Sequence, residues 1–472
     1  MNYKKLNTIA GWAIFLIATT VYMMTVERTA SFWDCGEFIA AAYKLQVPHP
    51  PGAPLFLLIG RLFSFMAGGD VTQVAYYINL VSVFTSSFSI LFLFWTISYL
   101  AKKIIAKGEE NPEIGKQIAI LGSAAVGSLA YTFSDTFWFS AVESEVYAFS
   151  SFFTAFIFWG MFKWEAEKDE KQANKWLIMI MYMTGLSIGV HLLNLVALPA
   201  LALIYYFKKY EGRTNLKGMF LAFMGGLVVV GIINSGVIPG LPSMAGKFEL
   251  FFINTMGLPI GTGIVIFLTL FFATLVYGIM YSVKHKKEEL NTALLAFSFV
   301  LIGYFCYMII PVRSSFDPPI DENNPEDIMS FVSYLKREQY GDRPLIYGPT
   351  AKAQLVAQEE GEALYRRKGD EYVIYNHRLV NTFDPKHKAL FPRIYSAGSV
   401  QTSASQYKRR GVDIDKMRKI TFADNLSYFF SYQLRVMYWR YFMWNFSGRA
   451  HDLQGADYLT PLESDEGLPH RI

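Results

Sequence analysis

The sequence predicts an all-α polytopic membrane protein with a small mixed α/β region at its C-terminal end. Three observations carry that reading. Of 472 residues, 53% are hydrophobic and 17% aromatic, and the mean hydropathy is +0.25, too apolar for an ordinary soluble chain of this length. Long apolar runs alternate with short polar connections up to about residue 312. Beyond it Pro, Asp, Asn and Arg become common and no spanning run remains.

A bilayer core of about 30 Å needs about 20 helical residues. Nine segments meet that need, near 7–26, 73–101, 117–134, 146–163, 176–190, 192–207, 217–237, 260–283 and 291–311. The first is read as a retained helix, because no small-residue cleavage site follows it. The stretch 55–67, PLFLLIGRLFSFM, is short and carries Arg61, which suits an interfacial or re-entrant helix. Lys and Arg set the orientation. One set of loops holds Lys4, Lys5, Lys102, Lys103, Lys107, Lys116, Lys163, Lys168, Lys171, Lys175, Lys208, Lys209, Arg213, Lys217, Lys284, Lys286 and Lys287; the opposite set holds only Arg28, Lys44, Arg61 and Lys247. The N-terminus is therefore expected in the cytoplasm, and nine crossings put the C-terminal region outside. The expected organisation is a transmembrane domain over 1–312, with outer loops near 27–72 and 134–146, and an extracytoplasmic region over 313–472.

In that region DPPIDENNP (317–325) reads as a linker with turn chemistry, and Pro325 to Tyr340 as a helix. PLIYG (344–348) and EYVIYNHRLV (371–380) read as strands. The aromatic stretch 421–446 reads as an interfacial helix, and the residues after Gly448 as weakly structured.

Several functions are excluded. A net charge of +4, with basic residues scattered between apolar runs, is no phosphate-tracking patch, so no nucleic acid is expected. Two cysteines, Cys35 and Cys306, build neither a disulfide framework nor a metal site. Cys35 reads as a small packing residue. The sequons at Asn425 and Asn445 matter only where an N-glycosylation system exists.

The conspicuous polar residues all fall on the outer side of this topology. Asp34, Glu37 and His49 lie in SFWDCGEFIAAAYKLQVPHPPGAP, directly after the first span. Asp135, Glu143 and Glu145 lie in the second outer loop, His191 and Asn194 at the turn between the fifth and sixth spans, and Arg313 past the ninth. Each has a bland reading: loop acids can be solvated caps, His49 a turn residue, His191 a packed imidazole, Arg313 a snorkelling anchor. Carboxylates near bilayer depth are nevertheless expensive and mark function. Asp34 and Glu37, three apart, share one helix face. Glu143 and Glu145, two apart, are expected on different faces, with one looking inward.

One polar site on the outer face suits transfer of a group from a lipid carrier to an external acceptor. Arg61, Lys44 or Arg313 would neutralise the carrier phosphate, while a carboxylate takes the proton of an acceptor hydroxyl. A lipid-phosphate leaving group needs no strong acid, so one base suffices. Paired carboxylates can also hold a divalent cation, but no ligand set stands out and no metal is assigned.

The blocks FWDCGEFIAAAYKLQVPHPPGAPLF, AVESEVYAF, GLSIGVHLLNL, YLKREQYGDRPL and YFMWNFSGR together resemble the bacterial protein O-mannosyltransferase-like family of C-type (GT-C) integral membrane glycosyltransferases. The D-x-x-E string followed by P-H-P-P-G is the most specific of them. The resemblance implies a GT-C-like helical bundle in the inner (cytoplasmic) membrane. It implies transfer of a sugar, mannose by analogy, from a polyprenyl-phosphate carrier to Ser or Thr hydroxyls of exported proteins. The family's loop acid maps onto Asp34, with Glu37 as the alternative; His49, Arg61, Glu143, Glu145, His191 and Arg313 are the expected substrate-binding residues. No cofactor is expected beyond the lipid-linked donor, polyprenyl-phosphate mannose, and a divalent metal is left open. Members of the family continue into further spans and a long soluble tail. This chain stops after SDEGLPHRI, which is consistent with a piece of a longer protein. Two competing readings remain: a glycosyltransferase acting on a glycolipid or surface polysaccharide, and a transporter or flippase. Transport sites favour the bilayer midplane and internal repeats, neither of which this sequence presents.

Overall fold

A computed structural model describes residues 2–341, 343–395, 400–451 and 456–459. The chain divides into two compact units, Met1–Arg337 with Gly369–Glu371, and Glu338–Lys368 with Tyr372–Ile472.

The first unit is a helical membrane bundle. Its helices are α1 (Tyr3–Thr25), α2 (Cys35–Lys44), α3 (Pro54–Ser64), α4 (Val74–Ile105), α5 (Ile114–Thr132), α6 (Asp135–Ala141), α7 (Val146–Ala166), α8 (Glu170–Ile188), α9 (Leu198–Lys209), α10 (Leu216–Gly231), α11 (Gly240–Leu250), α12 (Thr262–Lys284), α13 (Glu288–Tyr304), α14 (Ile309–Ser314) and α15 (Ile328–Lys336). Every predicted span coincides with a helix. Among the described residues seven helices are long and apolar enough to cross a membrane, or eight if α5 and α6 form one span bent by 69°. α8 falls short because Glu170, Lys171, Gln172, Asn174 and Lys175 occupy its first turns. The predicted span 217–237 continues as one helical path, Leu216–Thr255. There the N–H of Ile238 reaches the carbonyl of Ile233, five residues back, so a π turn absorbs Asn234–Gly236 without breaking the helix. The stretch 55–67 is a short apolar helical segment, Pro54–Ala67.

Two apolar clusters support the loop that follows α1. Phe38, Ala41, Ala42, Phe56, Leu57, Ile78, Val81, Phe149 and Phe153 pack α2 and α3 against α4 and α7. Val47, Ile188, Tyr307, Ile310, Phe331 and Tyr334 belong to a second cluster that gathers α8, α13, α14 and α15. α8 and α13 touch backbone to backbone. A Cβ on Gly303 would lie 2.4 Å from the Leu186 nitrogen, and one on Gly185 would lie 2.3 Å from the Val300 carbonyl oxygen. Small residues permit that approach in membrane bundles. Gly303→Leu is therefore expected to destabilise the protein by about 1–3 kcal/mol, read as a lower unfolding midpoint in detergent; an unchanged midpoint would show that the two helices are not in backbone contact.

The second unit holds a pair β1 (Tyr347–Pro349) and β4 (Lys388–Leu390), antiparallel with Tyr347 opposite Leu390, and a second pair β2 (Leu355–Lys368) and β3 (Glu371–Phe383). Its helices are α16 (Val400–Arg409), α17 (Phe422–Tyr428) and α18 (Arg440–Ser447). The helix predicted over 325–340 shortens to α15, started by an Asp327 capping box. The strand predicted at 344–348 begins at Tyr347, and the one at 371–380 runs on to Phe383. β2 escapes sequence reading because Glu359, Glu360 and Glu362 interrupt its apolar pattern. The aromatic stretch is one helical run from Phe422 to Ser447 through a central π segment. After Gly448, Arg449 and Tyr458 form an isolated bridge; residues 460–472 lie outside the described residues. Asn425 is fully buried, and its amide oxygen accepts from the Arg393 and Ile394 N–H groups at 2.7 and 2.8 Å. It is a structural residue of this unit.

Candidate functional site

α2 carries the centre of the site. Asp34 stands at its N-cap, yet its side chain makes no capping bond and is 58% exposed. Glu37 lies one turn on, on the same face. After α2 the chain turns at Leu45, held left-handed at φ +49°, and Gln46, Val47 and Pro48 carry it back. Val47 bridges to Asp321, and Gln46 accepts from the Ile320 N–H at 2.8 Å. The Tyr334 hydroxyl donates to the Pro48 carbonyl at 2.5 Å. Gly52 then needs φ +92°, and a Cβ there would lie 2.5 Å from the Tyr334 oxygen; only glycine closes this turn. The proline-rich return thus delivers His49 back over α2.

There His49 binds Glu37 twice. Its backbone N–H donates to Oε1 at 2.7 Å, and its Nδ1 meets Oε2 at 2.8 Å. That bond assigns the proton to Nδ1 and turns Nε2 towards Asp34, whose Oδ2 lies 4.0 Å away. The hydrogen bond to Glu37, then the charges of Glu37, Asp34 and Glu145, raise the His49 pKa above its ordinary value against the effect of burial. Burial of Glu37 would push its carboxyl up, but the hydrogen bonds and charge of His49 outweigh it and hold it below the usual range. Asp34, Glu37 and His49 form a group whose ligand atoms lie within 4.8 Å of one another. Among the described residues these three could hold a divalent ion, but Glu37 would first have to release the imidazole.

A second layer of acids lies behind. Glu143 and Glu145 are 5% and 7% exposed. The expectation that only one looks inward fails because 142–145 is not helical: the Glu145 N–H returns to the Glu143 carbonyl at 2.9 Å, and this tight turn aims both carboxyls inward. The Ser31 hydroxyl donates to Glu143 at 2.6 Å, and the Cys35 thiol lies 3.9 Å from Glu145. Burial pushes the Glu143 carboxyl up, partly offset by Ser31. Burial and the neighbouring Asp34 and Glu143 push Glu145 up to about 7. Burial, with the same acids, raises the Cys35 thiol, so it is an inert packing group.

Asn79 of α4 ties the two loops together. Its amide donates to the carbonyls of Glu27 and Thr29 at 2.7 and 3.1 Å, and its oxygen accepts from Ser144. Ser31, Asn79 and Ser144 were not singled out from sequence. A lone amide inside the apolar run VAYYINLVSV was the available signal.

The remaining predicted residues lie further out. Arg61 donates to the Tyr43 carbonyl and its guanidinium sits 4.5 Å from the Phe65 ring. Arg313 donates to the carbonyls of Leu45 and Lys44 at 2.6 and 3.2 Å. Both cations therefore serve the C-terminal end of α2, where carbonyls are unpaired. Asp34 is at the other end, about 15 Å away along ten helical residues. His191 caps the turn before α9, its Nδ1 accepting from the Leu193 N–H at 3.1 Å. Burial and the charge of Arg337 hold its pKa below the ordinary value. Its ring lies 5.5 Å from that of Tyr147, centroid to centroid.

Residues 34–214 match the family model described as the protein O-mannosyl-transferase TMEM260 N-terminal domain, and residues 341–430 match a family of unknown function, DUF8416. The chain is 30% identical over 154 residues to "Protein O-mannosyl-transferase tmem260" of Dictyostelium discoideum, which covers 32% of this chain and 17% of that protein. It is 27% identical over 223 residues to "Protein O-mannosyl-transferase TMEM260" of Mus musculus, covering 46% of this chain and 29% of that one. The chain thus spans well under half the length of these relatives. No solved structure matches. The similarity is to an O-mannosyltransferase-like family, and the matched stretch opens at Asp34 and contains Glu37, His49, Glu143 and Glu145.

Proposed function

We propose that this membrane protein is a protein O-mannosyltransferase, moving mannose from a polyprenyl-phosphate carrier to Ser or Thr hydroxyls of exported proteins. The observation that carries this reading is the exposed Asp34 carboxylate, faced by an imidazole that Glu37 orients, within a stretch similar to proteins named O-mannosyl-transferase. Asp34 takes the proton of the acceptor hydroxyl as its oxygen attacks the anomeric carbon. The bond from that carbon to the phosphate oxygen breaks, and the electron pair leaves with the lipid phosphate. Protonated His49, with Nδ1 committed to Glu37, turns Nε2–H to the same space and stabilises the anionic oxygen of the donor. Arg61 and Arg313, engaged at the far end of α2, hold the helix that presents Asp34. In the favoured topology this end of the bundle faces outward, as exported acceptors require.

The test uses purified protein in detergent with labelled polyprenyl-phosphate mannose and a Ser/Thr-containing peptide. Label is expected on peptide hydroxyls, released by mild base. Label transferred to added glycolipid and not to peptide would replace the acceptor, and no transfer to either would reject the reading.

A further inference from the structure

At the opposite end of the same helices the bundle opens into a cavity of about 380 Å³. Tyr3, Lys4 and Asn7 at the start of α1, Trp95 and Lys102 near the end of α4, and Lys163 near the end of α7 line it. α1 is 23 residues long, so this cavity lies about 30 Å from the loop that bears Asp34, and the proposed transfer makes no use of it.

The lining is cationic above and aromatic below. Among the described ion pairs none involves Lys4, Lys102 or Lys163. Lys102 donates to the Glu110 carbonyl at 3.1 Å and sits 4.7 Å from the Tyr3 ring. Lys163 sits 5.3 Å from the Trp159 ring. The nearby carboxylate of Glu165 is taken by Lys103 and the Tyr99 hydroxyl, so it does not neutralise the other lysines. A second feature points to a ligand independently. The Asn7 amide oxygen is buried and finds no hydrogen-bond partner. It is an acceptor that lacks a donor, which a native structure seldom leaves unmet.

We infer that this cavity binds the headgroup of an anionic phospholipid that carries free hydroxyls, of the phosphatidylglycerol class. The phosphodiester lies among Lys4, Lys102 and Lys163, a headgroup hydroxyl donates to Asn7, and the first part of an acyl chain lies along Trp95 and Trp159. Lysine-lined pockets between spans at the basic end of a bundle suit such headgroups. A zwitterionic headgroup brings its own cation and meets the lysines unfavourably.

Native mass spectrometry of the full chain, released from micelles doped with equal phosphatidylglycerol and phosphatidylcholine, tests the inference. Wild-type protein is expected to retain phosphatidylglycerol at least tenfold over phosphatidylcholine. The exposed-residue variant Lys4→Gln/Lys163→Gln should lose most of that preference while unfolding at the wild-type temperature. Lys163→Arg should retain it. Asn7→Leu should lower retention of phosphatidylglycerol but not of phosphatidic acid, which has no headgroup hydroxyl. Equal retention of both lipids by the wild type, or an unaltered preference in the double lysine variant, would overturn the inference. So would displacement of phosphatidylglycerol by inorganic phosphate or by an equal amount of polyprenyl phosphate.

Discussion

Asp34→Asn is expected to lower mannosyl transfer by roughly 10²–10⁴-fold, the range for removing a general base. Asparagine keeps the shape of the side chain and removes its proton affinity. Because Asp34 makes no capping bond and is largely exposed, the substitution leaves the fold and the unfolding temperature intact. Binding of the polyprenyl-phosphate donor should also survive, so the loss falls on turnover and not on affinity. Asp34→Glu should recover part of the rate, since it restores a base at a longer reach. Full activity in Asp34→Asn would remove Asp34 from the chemistry and leave Glu37 as the candidate.

Glu37→Gln is expected to cost on the order of 10²-fold in turnover, about 2–3 kcal/mol for a charge-assisted hydrogen bond lost at a half-buried position. It removes the charge and one of the two oxygens that accept from Nδ1 and from the His49 N–H, leaving a single neutral acceptor for the two donors. The pH profile separates this role from a merely structural one. In the wild type His49 has a raised pKa, so its cation persists below that value and is lost as pH rises through it. Activity that needs the cation therefore falls on the alkaline side. Without Glu37 the raising influence is gone and the alkaline limb moves to lower pH, so the variant loses activity earlier as pH increases. A lower rate with an unmoved alkaline limb would mean that Glu37 acts only by holding the loop.

Much of the fold is legible in the sequence because membrane helices advertise themselves. A bilayer cannot satisfy an exposed backbone, so each apolar run between Tyr3 and Ser314 must be helical, and each is. The count of crossings is less legible. α8 and the α5–α6 pair are helices whose composition sits at the margin, and Leu216–Thr255 hides its π turns behind residues that usually end helices. In the site, Asp34, Glu37 and His49 are legible because carboxylates and an imidazole beside a proline return are costly there. Their meeting depends on Gly52 and on Tyr334, distant in sequence, which closes on Pro48. Arg61, Arg313 and His191 stand out in the sequence by type and side, but what they touch does not. Their partners are carbonyls and an N–H group, which carry no sequence signal. The inward turn of both Glu143 and Glu145 likewise follows from a non-helical backbone that spacing alone does not reveal.

The most direct test of the central claim, that transfer occurs at Asp34, is an experimental structure with polyprenyl-phosphate mannose and a Ser-containing peptide bound. The account predicts the serine hydroxyl within about 2.6–3.2 Å of the Asp34 carboxylate and a donor phosphate oxygen facing Nε2 of His49. A donor and peptide that meet elsewhere, with Asp34 contacting neither, would contradict it.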